Sequence, residues 1–364
     1  MATKTTGTSR DLLIHPGETI ADILEERGIS QAALAASTGV SRAFVSNVLA
    51  GKKDISANFA MALEYALGVP KSFWLNLQAN YDAELLEVCA HESITQEERV
   101  ALNKLSEVVK YFQGVGEIAK GLSPEATILA LRHALRVSNI SNLVGIIPQG
   151  AFRMSDRQKT DPLVLGAWLR ICQIASERIA VTQSFDSKKT SQMISELKAL
   201  MLSWSGETLQ ESLQEIFAKY GIAFSIVKHF KGAPVHGYVT RRDNGSFQMV
   251  VTIRNAWEDV FWFSLFHELG HINNGDIRGK SREFADIDGV GNQELLADAF
   301  ARDALIDPTA YSVFLKNANF TLKEITHFAE EQLVKPCIVI GRLQKEGYVP
   351  WNRFTNHKPR LKWA

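Results

Sequence analysis

Residues 261–276 read FWFSLFHELGHINNGD and place two histidines and a glutamate inside an otherwise apolar helical run. His267 and His271 are four residues apart, so on a helix both imidazoles lie on one face and can reach a single Zn²⁺ ion. Glu268 is rotated away from that face, which suits a general base that takes a proton from metal-bound water. The stretch therefore predicts a helix that carries two metal ligands and one catalytic carboxylate.

The sequence before this helix favours a metal site over the structural alternative, a core helix whose histidines hydrogen-bond to the backbone. Residues 243–245, Asp-Asn-Gly, predict a tight hairpin turn. Runs rich in β-branched and aromatic residues predict three strands, at 222–228, 235–241 and 246–254. A motif helix that follows such a hairpin is the context that peptidase motifs of this kind require.

Local signals also predict how the motif helix begins and what approaches it. Asn255 and Glu258 have the spacing of a capping box at its first turn. Gly270 weakens the helix by about 1 kcal/mol relative to alanine, and we expect it to permit a close approach by a neighbouring strand. The strand at residues 247–254 is a candidate to receive a peptide substrate by strand addition.

A third metal ligand is predicted downstream, in the helical segment GNQELLADAFARDALIDP at residues 291–308. Glu294 can complete a site of two histidines and one glutamate, which leaves the fourth position of zinc open for water. Asp298 lies on the same helical face and can hydrogen-bond the free ring nitrogen of a ligand histidine. A solvated acidic face is the structural alternative. Rival third ligands are Glu283, Asp286 and Asp288.

A second motif occupies residues 30–51, SQAALAASTGVSRAFVSNVLAG, which has the spacing of a helix-turn-helix. Gly39 permits the turn, and Phe44, Val45 and Val48 form the buried face of the second helix. Short polar residues at the start of such a helix suit base edges in the major groove of DNA. The predicted DNA contacts are Gln31, Ser41, Arg42, Ala43, Ser46, Asn47, Lys52 and Lys53. A small helical protein-interaction module is the alternative.

Charge and composition agree with a DNA-binding surface that is local rather than general. The 364-residue chain has 40 Lys and Arg against 40 Asp and Glu, so its formal net charge is zero. From Arg27 to Lys53 there are cations and no acidic residue, which suits contact with phosphates. Because this basic face is modest, we expect the protein to bind DNA as a homodimer.

Cysteine content and hydropathy predict a cytoplasmic protein. Cys89, Cys172 and Cys337 are far apart in the sequence, which argues against a disulfide framework or a cysteine-based zinc site. No run of apolar residues is long enough to span a membrane, and the first residues have no apolar segment typical of a signal peptide.

We predict a mostly helical α+β fold, in which an all-α helix-turn-helix domain precedes a small sheet-and-helix domain of zincin-like peptidase type. The predicted regions are a DNA-binding domain at 1–88, a helical middle region at 89–221, a metallopeptidase core at 222–310, and a helical extension with a basic tail at 311–364.

Two family resemblances accompany these motifs. Residues 15–81 closely resemble the XRE-type helix-turn-helix of HigA-like antitoxins. Residues from about 222 to 350 resemble the ImmA/IrrE metallopeptidases, through HELGH and the later ELLADAFARDALIDP. The segment AFRMSDRQKTDPLVLGAWLR in the middle region is similar to bacterial and phage regulators that carry both modules on one chain.

The peptidase resemblance implies one Zn²⁺ ion held by His267, His271 and Glu294, with Glu268 as the catalytic base. Asp298 departs from the family pattern, because many relatives have asparagine at this position of an E-x-x-A-N segment. Either residue can orient a histidine. The group that stabilises the transition state is not carried over by a motif match; the candidates are Tyr311, Arg302 and His327.

Together these features predict a bacterial or phage-encoded regulator that binds double-stranded operator DNA. Its zinc-dependent endopeptidase module is expected to cleave a protein partner, a repressor or antitoxin, in a stress or toxin–antitoxin response. The alternative function is a non-proteolytic HigA-like antitoxin or repressor, whose metal domain is a sensor or a docking surface for a toxin or other partner. Glu268 favours the enzyme, since a scaffold has no need of a general base.

Overall fold

A computed structural model describes residues 13–147, 160–204, 208–253, 257–277, 287–316 and 320–361, with side chains in the helix after Ile287 described from Gly291. The chain divides into two compact units. The first comprises Met1–Arg99 and Ala119–Ala130, and the second comprises Val100–Ile118 and Leu131–Ala364. The predicted boundaries after residues 88, 221 and 310 stay predictions.

The chain begins with five helices: α1 (Pro16–Glu26), α2 (Gln31–Thr38), α3 (Arg42–Leu49), α4 (Ala57–Leu67) and α5 (Lys71–Glu92). Ser30 and Ser41 cap α2 and α3, because each hydroxyl accepts a hydrogen bond from a backbone N–H in the first turn. Gly39 ends α2 in the left-handed conformation with φ 71°, which a residue with a side chain adopts only at a cost. These capping signals were correctly predicted from the sequence.

Burial on one face of each helix holds α2 and α3 in a fixed orientation. Leu34 of α2 packs in one apolar cluster with Val45 and Val48 of α3, and all three are at most 1% exposed. Phe44 is half-buried and packs edge-on against Phe59 of α4. The outward residues Arg42, Ser46 and Asn47 of α3 are exposed, as predicted.

The rest of the chain is also mainly helical. Its helices are α6 (Gln96–Lys104), α7 (Ser106–Gly114), α8 (Pro124–Leu135), α9 (Pro162–Glu177), α10 (Thr190–Ser203), α11 (Leu209–Lys219), α12 (Glu258–Asn273), α13 (Ile287–Leu305), α14 (Pro308–Lys316), α15 (Leu322–Glu331) and α16 (Pro336–Lys345). In the described ranges, no helix combines the length and apolar character that a membrane span needs.

A three-stranded sheet lies between α11 and α12 in the chain and consists of β1 (Ile222–Val227), β2 (Gly237–Arg241) and β3 (Phe247–Thr252). Its order is β1-β3-β2, with β1 parallel and β2 antiparallel to β3. The predicted hairpin between β2 and β3 is confirmed. The prediction that the strand at 247–254 receives a peptide is wrong, because β3 is paired on both sides and β2 is an edge strand.

The motif helix α12 is central to the core of the second unit, where it packs against β2, β3, α13 and α16. Trp262, Leu265, Phe266 and Leu269 on α12 are fully buried. Full burial on several sides explains why the residues around HELGH are apolar all round rather than on one stripe.

The first turn of α12 differs from the predicted capping box. Trp257 is the N-cap and makes no side-chain capping bond, while Asn255 lies outside the described residues. Glu258 is 1% exposed, and its carboxylate accepts a hydrogen bond of 2.7 Å from Nζ of Lys335. The local capping signal is therefore overridden, because tertiary partners hold the glutamate.

The next residue, Asp259, is held by the C-terminal segment. Nζ of Lys358 lies 2.6 Å from Oδ2 of Asp259, and both side chains are less than a tenth exposed. A Cβ on Gly341 of α16 would lie only 2.3 Å from the same carboxylate oxygen, so a glycine is needed there. The predicted basic tail is thus partly internal, since Lys358 is buried.

Candidate functional site

The helix α12 brings His267 and His271 together at its C-terminal end. Their Nε2 atoms are 3.2 Å apart. Glu294, on α13, places one carboxylate oxygen 3.1 Å from Nε2 of His267 and the other 3.5 Å from Nε2 of His271. The three predicted ligands therefore meet at one point, although two belong to one helix and the third to another.

Each histidine is oriented by a carboxylate at its other ring nitrogen. Nδ1 of His267 lies 2.8 Å from Asp298, and Nδ1 of His271 lies 2.9 Å from Asp276. Asp298 was predicted in this role, whereas Asp276 was missed. The signal for Asp276 is its position directly after the Asn-Asn-Gly sequence that ends α12, which returns the chain towards His271.

The donor set fits a zinc ion. In a tetrahedral site with zinc–ligand bonds of about 2.0–2.1 Å, neighbouring ligand atoms are roughly 3.3 Å apart. The distances between His267, His271 and Glu294 lie close to this value, at 3.2, 3.1 and 3.5 Å. If both Nδ1 atoms donate to carboxylates, both Nε2 atoms present lone pairs to each other, and a cation between them removes that repulsion.

The charge around His267 also favours a bound cation. Burial by itself lowers the pKa of His267, but hydrogen bonds to Asp298 and Glu294 and the charge of Glu268 outweigh it and raise the pKa to about 10. The position between these carboxylates thus strongly favours positive charge. Zinc binding would displace a proton from His267, so proton and metal compete for this site.

Glu268 lies beside the ligands and has a distinct environment. It is 4% exposed, and its Oε2 atom has no hydrogen-bond partner among the described residues. A Cβ on Gly237 would lie 2.3 Å from Oε1 of Glu268, so β2 passes directly over this carboxylate. A buried carboxylate oxygen that is free to accept a proton matches the role predicted for Glu268.

His267, Glu268, Glu294 and Asp298 line a cleft of about 810 Å³. Successive turns of α12 line the cleft through Asp259, Phe263 and His267. The edge strand contributes Tyr238, and His236 directly before this strand also lines the cleft; neither was predicted from the sequence. Both could have been suspected only from knowledge that β2 is an edge strand.

The structure separates the three candidates for transition-state stabilisation. Arg302 lines the cleft. The Tyr311 side chain is buried, and its hydroxyl donates a hydrogen bond of 2.9 Å to Glu346. His327 is exposed and lies beside Glu331. Of these three, only Arg302 therefore faces the cleft. The rival ligands Glu283 and Asp286 lie outside the described residues, as does the side chain of Asp288.

Gly270 allows close contact between the two helices that carry the ligands. A Cβ at this position would be 3.1 Å from the Cα and carbonyl oxygen of Ala297 and 3.2 Å from the Phe300 ring. The close neighbour is therefore α13, and the expectation of a neighbouring strand is wrong.

We expect Gly270→Ala to weaken zinc binding by about tenfold or more, because the added methyl displaces α13 and with it Glu294 and Asp298. Competition with a chromophoric chelator measures the affinity. Gly291→Ala is the matched control, since a Cβ there meets nothing within 4 Å. Equal zinc affinity in Gly270→Ala and wild type would show that helix separation does not set the site.

The predicted DNA contacts are exposed residues of the first unit. Gln31, Ser41, Arg42, Ala43, Ser46, Asn47, Lys52 and Lys53 are all exposed. Ser41 also has a structural role as the N-cap of α3. Nζ of Lys53 lies 4.4 Å from the centre of the Phe44 ring, which holds this cation beside α3.

Comparison with known proteins identifies the first unit. Residues 20–74 match the helix-turn-helix family. Virulence-associated protein A′ of Dichelobacter nodosus is 40% identical over 78 residues, which are 21% of this chain and 68% of that protein. A structure of an addiction module antidote protein of the HigA family from Coxiella burnetii is 29% identical, covering 27% of this chain and 92% of that chain. Its TM-score is 0.20.

The family match covers α2, α3 and α4 together with parts of α1 and α5. The relative with 40% identity matches this chain over 78 residues. The exposed residues of α3 include Arg42, Ser46 and Asn47. This chain therefore belongs to the XRE-type helix-turn-helix family of DNA-binding proteins.

Proposed function

We propose that this protein is a transcriptional regulator that binds operator DNA as a homodimer and cleaves a protein partner with a zinc-dependent endopeptidase module of the ImmA/IrrE type. The observation that carries the peptidase proposal is the convergence of His267, His271 and Glu294 beside the buried carboxylate of Glu268. The proposed setting is the cytoplasm of a bacterium, and the proposed partner is a repressor or antitoxin.

His267, His271 and Glu294 would hold the metal, one ion per chain. When bound, zinc would lower the pKa of a water molecule and polarise the carbonyl of the scissile peptide bond. Glu268 would accept a proton at Oε2, hold it there, and donate it to the nitrogen of the leaving amine. Asp298 and Asp276 keep both ligand histidines in the orientation that this site requires.

The edge strand β2 supports an extended peptide as the substrate. In the described sheet β2 is at the edge, and Gly237 and Tyr238 line the cleft beside Glu268. A peptide that adds to this edge would place its backbone next to the catalytic carboxylate. Because Gly237 has no side chain, the backbone and Glu268 can approach each other closely.

The peptidase proposal is tested with Glu268→Gln in the full-length, zinc-loaded protein. Proteins encoded beside its gene are the first substrates to try, with cleavage sites mapped by mass spectrometry. If Glu268→Gln cleaves a partner as well as wild type does, the metal centre serves as a sensor or docking surface rather than as an enzyme.

For the DNA-binding unit, we expect Arg42→Ala with Asn47→Ala to weaken binding to the chain's own promoter by about 2–6 kcal/mol, since each base contact contributes about 1–3 kcal/mol. Fluorescence anisotropy at two salt concentrations measures the loss and separates base contacts from phosphate contacts. Asn80→Ala, exposed on α5, is the control. If wild type does not bind this promoter at low salt, a specific operator there is ruled out.

A further inference from the structure

The cleft is lined by carboxylates at the metal position and by cations further along. The ligand Glu294 lies with Glu268 and Asp298, whereas Arg302, Arg342 and Lys345 line the cleft together with Glu346, which pairs with Arg342. Arg302 follows Glu294 by eight residues on α13, which corresponds to about 12 Å along the helix axis, and both side chains line the cleft. A substrate that occupies the cleft therefore meets a cationic region at a fixed distance from the scissile bond.

The three cationic side chains differ in the hydrogen bonds and ion pairs that they make within the protein. Arg342 donates from Nε to Glu346 over 3.0 Å and from Nη1 to the Arg302 carbonyl over 3.3 Å. Its guanidinium also stacks 3.8 Å from the centre of the Tyr311 ring. These contacts use Arg342 to fix α16 against α13, so its role is largely structural.

The side chains of Arg302 and Lys345 differ from Arg342 in this respect. Neither side chain has an ion-pair partner in the ranges 287–316 and 320–361 or elsewhere in the described chain. Arg302 is half-buried at the cleft wall, and Lys345 is exposed at its rim. A half-buried guanidinium with an unused planar donor face is suited to bind a carboxylate in bidentate fashion.

We propose that Arg302, assisted by Lys345, selects substrates by binding a carboxylate roughly two to four residues from the scissile bond, a span set by the 3.3 Å rise of an extended peptide. This inference rests on the proposed peptidase function and names its substrate class, an acidic peptide. The carboxylate belongs to an Asp or Glu side chain or to a free C-terminus, which are chemically alike to the guanidinium.

Binding to the inactive Glu268→Gln protein tests the proposal independently of cleavage. The probes are two pools of randomised, N-acetylated decapeptides, one with free and one with amidated C-termini, and retained peptides are identified by mass spectrometry. We expect Asp and Glu to be enriched about tenfold in the amidated pool, or free C-termini to be preferred about tenfold over amidated ones. The first result assigns a side-chain carboxylate and the second a terminal one.

Charge variants of this protein then identify the residue responsible. Arg302→Gln should reduce the preference to about twofold or less, and Arg302→Glu should shift retention towards Lys and Arg. Lys345→Gln should weaken the preference partly, whereas Lys323→Gln, an exposed cation outside the cleft, should leave it unchanged. Zinc content and unfolding midpoint confirm that each variant is folded.

The inference is overturned if Glu268→Gln shows no preference for either carboxylate, or if a folded Arg302→Gln variant retains it. A uniform loss of cleavage in Arg302→Gln with unchanged peptide preference would instead assign Arg302 to the transition state. If carboxylate peptides are retained but wild type cleaves none of them, the peptidase proposal fails while the binding inference stands. If wild type cleaves peptides without any preference for a carboxylate, the peptidase proposal stands while the binding inference fails.

Discussion

Glu268→Gln is expected to lower peptide cleavage by about 10²–10⁴-fold while leaving the zinc content at that of wild type, because a general base contributes this much to the rate. Glutamine has the same shape but cannot accept and return a proton. Glu268 is not among the groups whose atoms converge on the metal position, so metal binding should survive. Zinc analysis together with steady-state cleavage of a mapped substrate measures both quantities.

Two controls make this result specific. Glu330→Gln removes one exposed carboxylate on α15 and should retain full activity. Glu294→Gln should lose zinc as well as cleavage, because it alters a ligand. If Glu268→Gln lost its zinc, Glu268 would be a ligand rather than a base, and the assigned roles of Glu268 and Glu294 would need to be exchanged.

Lys358→Met is expected to destabilise the second unit by about 3–5 kcal/mol, the usual cost of leaving a buried charge without its partner. The methionine keeps most of the side-chain length, so the loss reflects the missing ammonium group that pairs with Asp259. Chemical denaturation of the full chain measures it, with the two units followed as separate transitions. Lys323→Met, on the surface of α15, should change stability by no more than about 0.5 kcal/mol.

The same pair makes a prediction about pH. Burial raises the pKa of Asp259, and the hydrogen bond and charge of Lys358 counteract it. Without Lys358 the pKa of the folded state rises further above that of the unfolded state. Asp259 then takes up a proton on folding, so the stability lost in Lys358→Met should be largest at neutral pH and should shrink as pH falls through the raised pKa.

A double variant tests this explanation. Asp259→Asn removes the charge that Lys358→Met leaves unpaired, so the two together should be less destabilised than Lys358→Met alone. If the double variant is instead as unstable as the sum of the single variants, the ion pair does not account for the loss. Packing of the Lys358 stem against its neighbours would then be the cause.

Features that depend on neighbouring residues in the chain were predicted well from the sequence. Ser30, Ser41 and Gly39 act within one helical turn, and the four-residue spacing of His267 and His271 fixes their common face. Glu294 and Asp298 were also placed correctly relative to each other, since they share one helix. In each case the physical cause is local backbone geometry.

Most features that depend on distant residues were not predicted; the approach of Glu294 and Asp298 to His267 is the exception, and it came from the metal motif. Glu258 resembles a capping residue but is held by Lys335, which is 77 residues away. The close neighbour of Gly270 is a helix because α13 packs on α12. Strand β3 is central because β1, which precedes the hairpin in the chain, pairs with its other side. Asp276 reaches His271 only through the turn that ends α12. No periodicity in the sequence encodes these contacts.

The position of Lys358 also has a consequence for synthesis of the protein. Ribosomes add about 5–20 residues per second, and Lys358 follows Asp259 by about one hundred residues, so roughly 5–20 s separate their translation. During this interval the motif helix has been translated while its first turn still lacks the cation that neutralises it. The nascent chain thus completes the candidate metal centre late, after the helix-turn-helix unit has emerged and had time to fold.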